Sequence, residues 1–171
     1  MASDNQMTDH DRIREVLYTY CRGIDRRRMD LVRECYHPDA TDHHGDYRGG
    51  VDGAIEHFEQ ELSRWDSTSH FIGNVLIDID GHRARVESYA LAHHRRDTTA
   101  DRRGIDFVAG VRYVDDFERR SNLWRIATRV VVVDWTRTDE LPERGWIRPT
   151  HYAQPSNGPN DPVFEPDLRS L

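Results

Sequence analysis

The chain has no apolar run of about 18 residues, so no helical membrane span is expected. Among its 171 residues there are only two cysteines, Cys21 and Cys35. Two cysteines do not make a disulfide framework, and both fall within apolar helical patterns, as reduced core thiols in a cytosolic protein do. Lysine is absent and the cationic residues are all arginine, a bias that speaks of genomic base composition rather than of function. No glycine-rich phosphate loop and no Gly-x-Ser-x-Gly elbow occur, so nucleotide-phosphate binding and serine-nucleophile hydrolysis lack support. A His-Glu-x-x-His helix and a metal-binding cysteine pair are also missing, and no metal or other cofactor is expected. The first residues, MASDNQMTDH, lack the basic start and apolar stretch of a secretory leader, which points to the cytoplasm.

Charge argues in the same direction. The formal net charge is -7, and the basic clusters Arg26-Arg27-Arg28, Arg95-Arg96, Arg102-Arg103 and Arg119-Arg120 are short, scattered and interleaved with acids. Aromatic-basic alternation suited to base stacking is absent, so a nucleic-acid partner is not expected.

What is present is a change of period. Residues 1–8 read as a disordered terminus, followed by an N-cap at Thr8 or Asp9 with Asp11 in the first turn. Ile13, Val16, Leu17, Tyr20, Cys21 and Ile24 then recur at spacings of three and four, which predicts an amphipathic helix to about Arg28. Met29–Tyr36 reads as a short second helix stopped by Pro38, residues 39–52 as a loop holding one short strand, and Val51–Arg64 as a third helix. From Ser67 the pattern alternates. Strands are predicted over His70–Asp80, Ala84–Arg95, Ile105–Phe117 and Trp124–Thr136, with a hairpin turn at Asp80-Gly81. Helices followed by an antiparallel meander mean an α+β fold with the helices on one face of the sheet. The run of valines in the last strand predicts cover on both faces, by the helices on one side and a second subunit on the other. Residues 9–137 form the expected domain. Residues 138–171, rich in proline, read as an extended arm whose Trp146, Tyr152 and Phe164 dock on a pocket rim or a partner subunit.

Two residues could carry chemistry. Asp25 lies at the edge of the first helix's apolar stripe, where a carboxylate is partly desolvated and needs a partner. It could equally be a last-turn residue paired with an arginine. His70 opens a strand after a polar run and could be an ordinary structural histidine. If the two met, Asp25 would fix the imidazole's tautomer and the free ring nitrogen could take a proton from a ligand. Asp39, Asp42, His43, His44 and Asp46 read as a solvated loop rather than a metal site. Strand alternation points one of His93 and His94 inward. Trp65, Phe107 and Tyr113 read as pocket wall or core.

Four stretches carry a family resemblance: Tyr20-Cys-Arg-Gly-Ile-Asp25-Arg-Arg-Arg-Met-Asp30, His37-Pro-Asp-Ala40, Ser69-His70-Phe-Ile-Gly-Asn74, and Tyr113-Val-Asp-Asp-Phe-Glu-Arg-Arg120 with Trp124-Arg-Ile-Ala. In order and spacing they resemble the SnoaL-like branch of the nuclear transport factor 2-like superfamily over roughly residues 9–137. The chain is similar there to scytalone dehydratase, hexachlorocyclohexane dehydrochlorinase and bile-acid 7α-dehydratase. The resemblance implies a cone-shaped α+β barrel, N-terminal helices packed on a curved, mainly antiparallel sheet around one apolar pocket. It implies a general acid/base pair at His70 and Asp25, with Tyr20 and Arg129 assisting, and Tyr18, Trp65, Asn74, Leu91, His93 and Phe107 around the substrate. The implied activity is a cofactor-independent lyase or isomerase acting on a small hydrophobic ring compound, of the polyketide, steroid-like or aromatic kind. Two alternatives stay open: a non-catalytic small subunit of a ring-hydroxylating dioxygenase, and a ligand-binding protein without turnover. The doubly apolar strand and the arm predict a homodimer or homotrimer.

Overall fold

The computed structural model describes residues 7–141, 151–153, 156–158 and 160–166. Helix α1 spans Asp9–Asp25. It starts in a reciprocal cap: Thr8 Oγ1 accepts from the Asp11 N–H, and the Asp11 carboxylate accepts from the Thr8 N–H. Its apolar stripe buries Ile13, Leu17, Tyr20, Cys21 and Ile24. Arg27, at a φ of 52°, ends the helix. The chain then reverses into α2, Met29–Glu34, which packs back on Gly23. A Cβ at Gly23 would sit 2.7 Å from Val32 Cγ2, so a larger residue would push α2 away.

The next segment departs from expectation. The helix expected over Met29–Tyr36 ends at Glu34, and Pro38 lies inside a strand, β1, Tyr36–His44. Pro38 falls where the β1 ladder shifts register between Tyr36 and Thr41, so its missing N–H leaves no gap in the regular pairing. Instead of a loop with one strand, residues 36–50 make a hairpin with β2, Tyr47–Gly50, turned by Gly45 at a φ of 62°. Helix α3, Val51–Leu62, follows and buries Val51, Ala54, Ile55, Phe58 and Leu62.

The meander consists of β3 (Ser67–Asp80), β4 (Arg83–Arg96), β5 (Ile105–Arg120) and β6 (Leu123–Glu140). Two-residue turns at Gly81-His82 and Ser121-Asn122 join β3 to β4 and β5 to β6, with left-handed φ at Gly81, Ser121 and Asn122, as hairpin twist demands, and residues 97–104 join β4 to β5. The six strands run in the order β2-β1-β6-β5-β4-β3. Every pairing is antiparallel except β1 on β6. Register shifts at Ile72/Val75, Gly110/Val111 and Asp116/Phe117 are the kind of irregularity that bends strands. The result is the three helices packed on a curved, open, mostly antiparallel sheet, an α+β fold. The core lies between them, around Leu17, Val32, Val86, Phe117 and Ile126.

The outer face of the sheet is uncovered in the single chain. Phe71, Tyr89, Leu91 and Trp135 are between 43% and 68% exposed there, so β6 is covered on one face only. Trp146 lies outside the described residues. A short turn at Pro162–Phe164 lies against the end of α1: Asp161 pairs with Arg26 at 3.1 Å, and the Arg28 guanidinium lies over the Phe164 ring. No helix among the described residues is long and apolar enough to cross a membrane.

Candidate active site

Asp25 ends α1 and His70 lies near the start of β3, where alternation points Thr68 and His70 to the same side. The Asp25 carboxylate accepts three hydrogen bonds: from Thr68 Oγ1 at 3.0 Å, from the His70 backbone N–H at 2.8 Å and from His70 Nδ1 at 2.7 Å. Both side chains are nearly enclosed, 8% exposed for His70 and 13% for Asp25. Burial by itself would raise the Asp25 pKa, but the bonds from His70 and Thr68 outweigh it and hold the carboxyl below its usual range. An ionised Asp25 fixes the proton of a neutral His70 on Nδ1 and leaves Nε2 as the free base.

His70 lines a cavity of about 510 Å³. On the His70 side its wall is aromatic: the His94 ring stands edge-on to His70 at 5.4 Å, and Trp65 stacks on Phe107 at 5.9 Å. Tyr20, Ile24, Phe58 and Leu62 line the helical side, and His44, Asp46, His57, Glu61 and Arg64 add polar groups to the lining. A second cleft of about 430 Å³ runs along the other side of the pair, between Tyr18, Arg22, Asp25, Arg26 and Val163. Of the residues expected around a substrate, Trp65 and Phe107 line the cavity and Tyr18 lines this outer cleft.

The other three line neither the cavity nor this cleft. Asn74 is exposed at the β3 bulge between Ile72 and Val75. Leu91 pairs with Phe71 and Gly110 on the outer sheet face. His93 turns outward and pairs with the Asp106 carboxylate, so alternation gives the inward position to His94.

Arg129 is fully buried and does not line the cavity. It donates through Nε and Nη2 to the two oxygens of Asp115, at 2.8 and 2.7 Å. Its guanidinium lies between the Tyr20 and Tyr113 rings, 4.2 and 4.3 Å from their centroids. The pairings Asp42↔Arg129 and Arg129↔Asp115 set an acid-base-acid row across β1, β6 and β5. The direct substrate contact expected of Arg129 is therefore replaced by support from behind Tyr20, because its Nε–Nη2 edge and both faces are occupied by protein and the side chain does not reach the cavity.

Asp42 and His44 belong to β1 and not to the solvated loop expected there. Asp42 has no exposed surface, and His44 stands on the cavity wall. The signal was the alternation Ala40-x-Asp42-x-His44, masked by its polar residues. Among the described residues, no group of three His, Cys, Asp or Glu side chains is placed to hold a metal ion. Cys21 and Cys35 are free and buried, and burial pushes both thiols up to about 12.

A match to the family model described as SnoaL-like domain covers residues 5–130. The chain belongs to the SnoaL-like family. An uncharacterised protein of Mycobacterium tuberculosis is 33% identical over 136 residues, covering 76% of this chain and 88% of that protein, and one of Mycobacterium bovis matches equally. Solved structures agree in fold. A hexachlorocyclohexane dehydrochlorinase from Novosphingobium barchaimii superposes with a TM-score of 0.67 at 16% identity, covering 82% of this chain and 94% of that one. A scytalone dehydratase-like protein from Novosphingobium aromaticivorans gives 0.66 at 19% identity, covering 85% and 95%.

The buried histidines give a pH prediction. Burial first, and then neighbouring charge from Arg129 and His70, pushes His44 down to about 3; burial and then His70 push His94 down to about 4. The unfolded chain takes up these protons near pH 6.5 and the folded chain resists them, so protonation favours unfolding. Stability is therefore full above about pH 6.5 and falls as the pH drops towards about 4, by up to about 1.4 kcal/mol per pH unit for each histidine. Urea midpoints should be lower at pH 5 than at pH 7, and the His94→Phe variant should show a smaller difference. Equal midpoints in the wild-type protein would rule the effect out.

Proposed function

We propose that this protein is a cofactor-independent acid/base catalyst, a lyase or isomerase that acts on a small hydrophobic ring compound in the cavity lined by His70. One observation carries the proposal: His70 is locked through Nδ1 to the Asp25 carboxylate while its ring lines a cavity of about 510 Å³. That volume is in the range of small-molecule sites, about 300–1,000 Å³. The mostly apolar wall of Ile24, Phe58, Leu62, Trp65 and Phe107 suits a ring.

The chemistry follows from the residues. His70 Nε2 removes a proton from carbon beside an electron-withdrawing group, and the C–H electrons form a new double bond. In an elimination a leaving group departs from the adjacent carbon; in an isomerisation the proton returns elsewhere. Asp25 stabilises the imidazolium formed, so the positive charge on His70 is balanced within the pair. Tyr20, on the cavity wall, is the candidate donor toward a carbonyl or a leaving group. Burial raises its pKa, so the hydroxyl keeps its proton and can donate it in a hydrogen bond. A dehydrochlorinase and a dehydratase-like protein among the structural neighbours are in keeping with this class, while their identities below 20% speak for the fold alone.

A panel of ring compounds with an acidic C–H next to a hydroxyl or halide leaving group, assayed with chelator and no added cofactor, tests the proposal. The expected outcome is product formation that disappears in Asp25→Asn. Product formation unaffected by that substitution would contradict it. A pocket that binds the panel but turns none of it over would favour a ligand-binding protein.

The exposed outer sheet face supports a homo-oligomer. Trp135, 48% exposed, stands over Gly110 at its centre, where a Cβ on the glycine would meet the indole at 2.3 Å. Replacing Trp135 by Glu would place a charge in any interface built on this face. The wild-type protein is expected to run as a dimer or trimer in light scattering and Trp135→Glu as a monomer. A monomeric wild type would contradict this assembly.

A further inference from the structure

Three of the buried polar atoms that lack a hydrogen-bond partner among the described residues belong to one corner of the fold: Asp42 Oδ1, His44 Nδ1 and Arg129 Nη1. Asp42 and Arg129 are partners across β1 and β6, and Asp42 Oδ1 lies 3.7 Å from His44 Nδ1. The other Asp42 oxygen accepts from the Tyr36 hydroxyl at 2.6 Å. Asp42 is completely buried, whereas the His44 side chain keeps 32% of its surface open and lines the cavity. Its ring is braced edge-on against Phe58 at 5.0 Å.

These facts orient the ring. Nδ1 is buried and faces a carboxylate oxygen, while Nε2 is not among the buried, unpartnered atoms. The open edge of the ring is therefore the one that carries Nε2. A carboxylate oxygen facing Nδ1 favours the tautomer with its proton on that nitrogen. Nε2 then offers a lone pair to the cavity. The ring stands on the opposite wall from His70, because β1 and β3 are separated by β6, β5 and β4; unlike His70 Nδ1, which is bonded to Asp25 at 2.7 Å, His44 Nδ1 only faces its carboxylate, at 3.7 Å. His44 is also kept uncharged at neutral pH, by burial and by Arg129 close behind it.

A neutral acceptor that faces a buried carboxylate across 3.7 Å needs a hydrogen-bond donor from the ligand. We propose that His44, backed by Asp42, is a second ligand-binding group of the cavity and selects ring compounds bearing a hydroxyl group on the side remote from His70. The hydroxyl O–H donates to Nε2, and Asp42 balances the partial positive charge that the ring acquires. Carbonyl and ether oxygens, which only accept, gain nothing at this position. The cavity also exposes Asp46, His57, Glu61, Arg64 and His94, and a ring that donates to His44 from the opposite wall presents its reacting C–H to His70. This deepens the proposed function, since it rests on the cavity being the substrate site.

The test compares 2-naphthol with 2-methoxynaphthalene, which are similar in shape but differ in the donor, by titration calorimetry. The wild-type protein should bind 2-naphthol about five- to tenfold more tightly, the worth of one hydrogen bond. His44→Phe should bring the two affinities together, and His44→Gln serves where the phenylalanine variant fails to fold. His70→Phe should keep the preference. Equal affinities in the wild-type protein, failure of 2-naphthol to bind, or a preference lost in His70→Phe and kept in His44→Phe would each overturn the assignment. Binding is read without turnover, so a pocket that selects 2-naphthol through His44 and catalyses nothing would refute the catalytic pair and leave this site standing.

Discussion

Replacing His70 by Ala should lower kcat/KM on any substrate of this protein by about 10²–10⁴, the contribution of a positioned general base. The fold should survive the change. Asp25 would lose one of its three hydrogen bonds but keep those from the Thr68 hydroxyl and the backbone N–H of residue 70, which an alanine still supplies. A bond to a charged group is worth about 1.5–3 kcal/mol, so the loss of stability should stay within that range. Circular dichroism and urea unfolding of the variant separate lost chemistry from lost structure. Asp25→Asn is the companion experiment. It removes the charge that stabilises the imidazolium and the acceptor that holds the tautomer, so its activity should fall comparably. Full activity in both variants, with the fold intact, would dismiss the acid/base pair.

The second large effect concerns stability. Replacing Arg129 by Met should destabilise the protein by about 3–5 kcal/mol, because removing one member of a buried ion pair leaves the other charge without compensation. Asp115 is fully buried and bonded to Arg129 through both oxygens, and Asp42 is its buried neighbour on the other side. The guanidinium between Tyr20 and Tyr113 would also be lost, loosening the ring that lines the cavity. Replacing Asp115 by Leu together with Arg129 by Met should recover part of the loss, since removing both partners is often far less damaging than removing one. Denaturant unfolding of the single and double variants measures this. A single variant within about 0.5 kcal/mol of wild type, the usual range for unremarkable surface changes, would mean that the row is not holding the sheet together. It would also return Arg129 to consideration as a group that reaches the ligand.

The α+β layout was legible because its elements obey one period each. Ile13, Leu17, Tyr20 and Ile24 could only form a helical stripe, and Val75, Ile77 and Ile79 only one face of a strand. The hairpin at 36–50 was not legible, since its inward positions alternate Ala40, Asp42 and His44 where apolar residues are the usual mark. Strand phase was the second obstacle. Whether His93 or His94 faces inward depends on a register that no local pattern fixes, and the same uncertainty misplaced Leu91 on the pocket side. Arg129 illustrates a third. A lone arginine in a valine-rich strand gives no hint that acids on both neighbouring strands, Asp42 and Asp115, will enclose it. Asp25 and His70, separated by 45 residues, could be brought together from sequence only through family resemblance; helical geometry placed Asp25 at a stripe's edge and no closer.

Under the proposed function His70, oriented by Asp25, moves a proton between a ring carbon and solvent. Incubating the protein with a substrate or a non-eliminating analogue in deuterated water, and following deuterium entry at that carbon by NMR, measures this step without waiting for a leaving group. The wild-type protein should exchange the proton, and His70→Ala and Asp25→Asn should slow the exchange by about 10²–10⁴ while still binding the ring. Exchange that proceeds unchanged in both variants would contradict the claim.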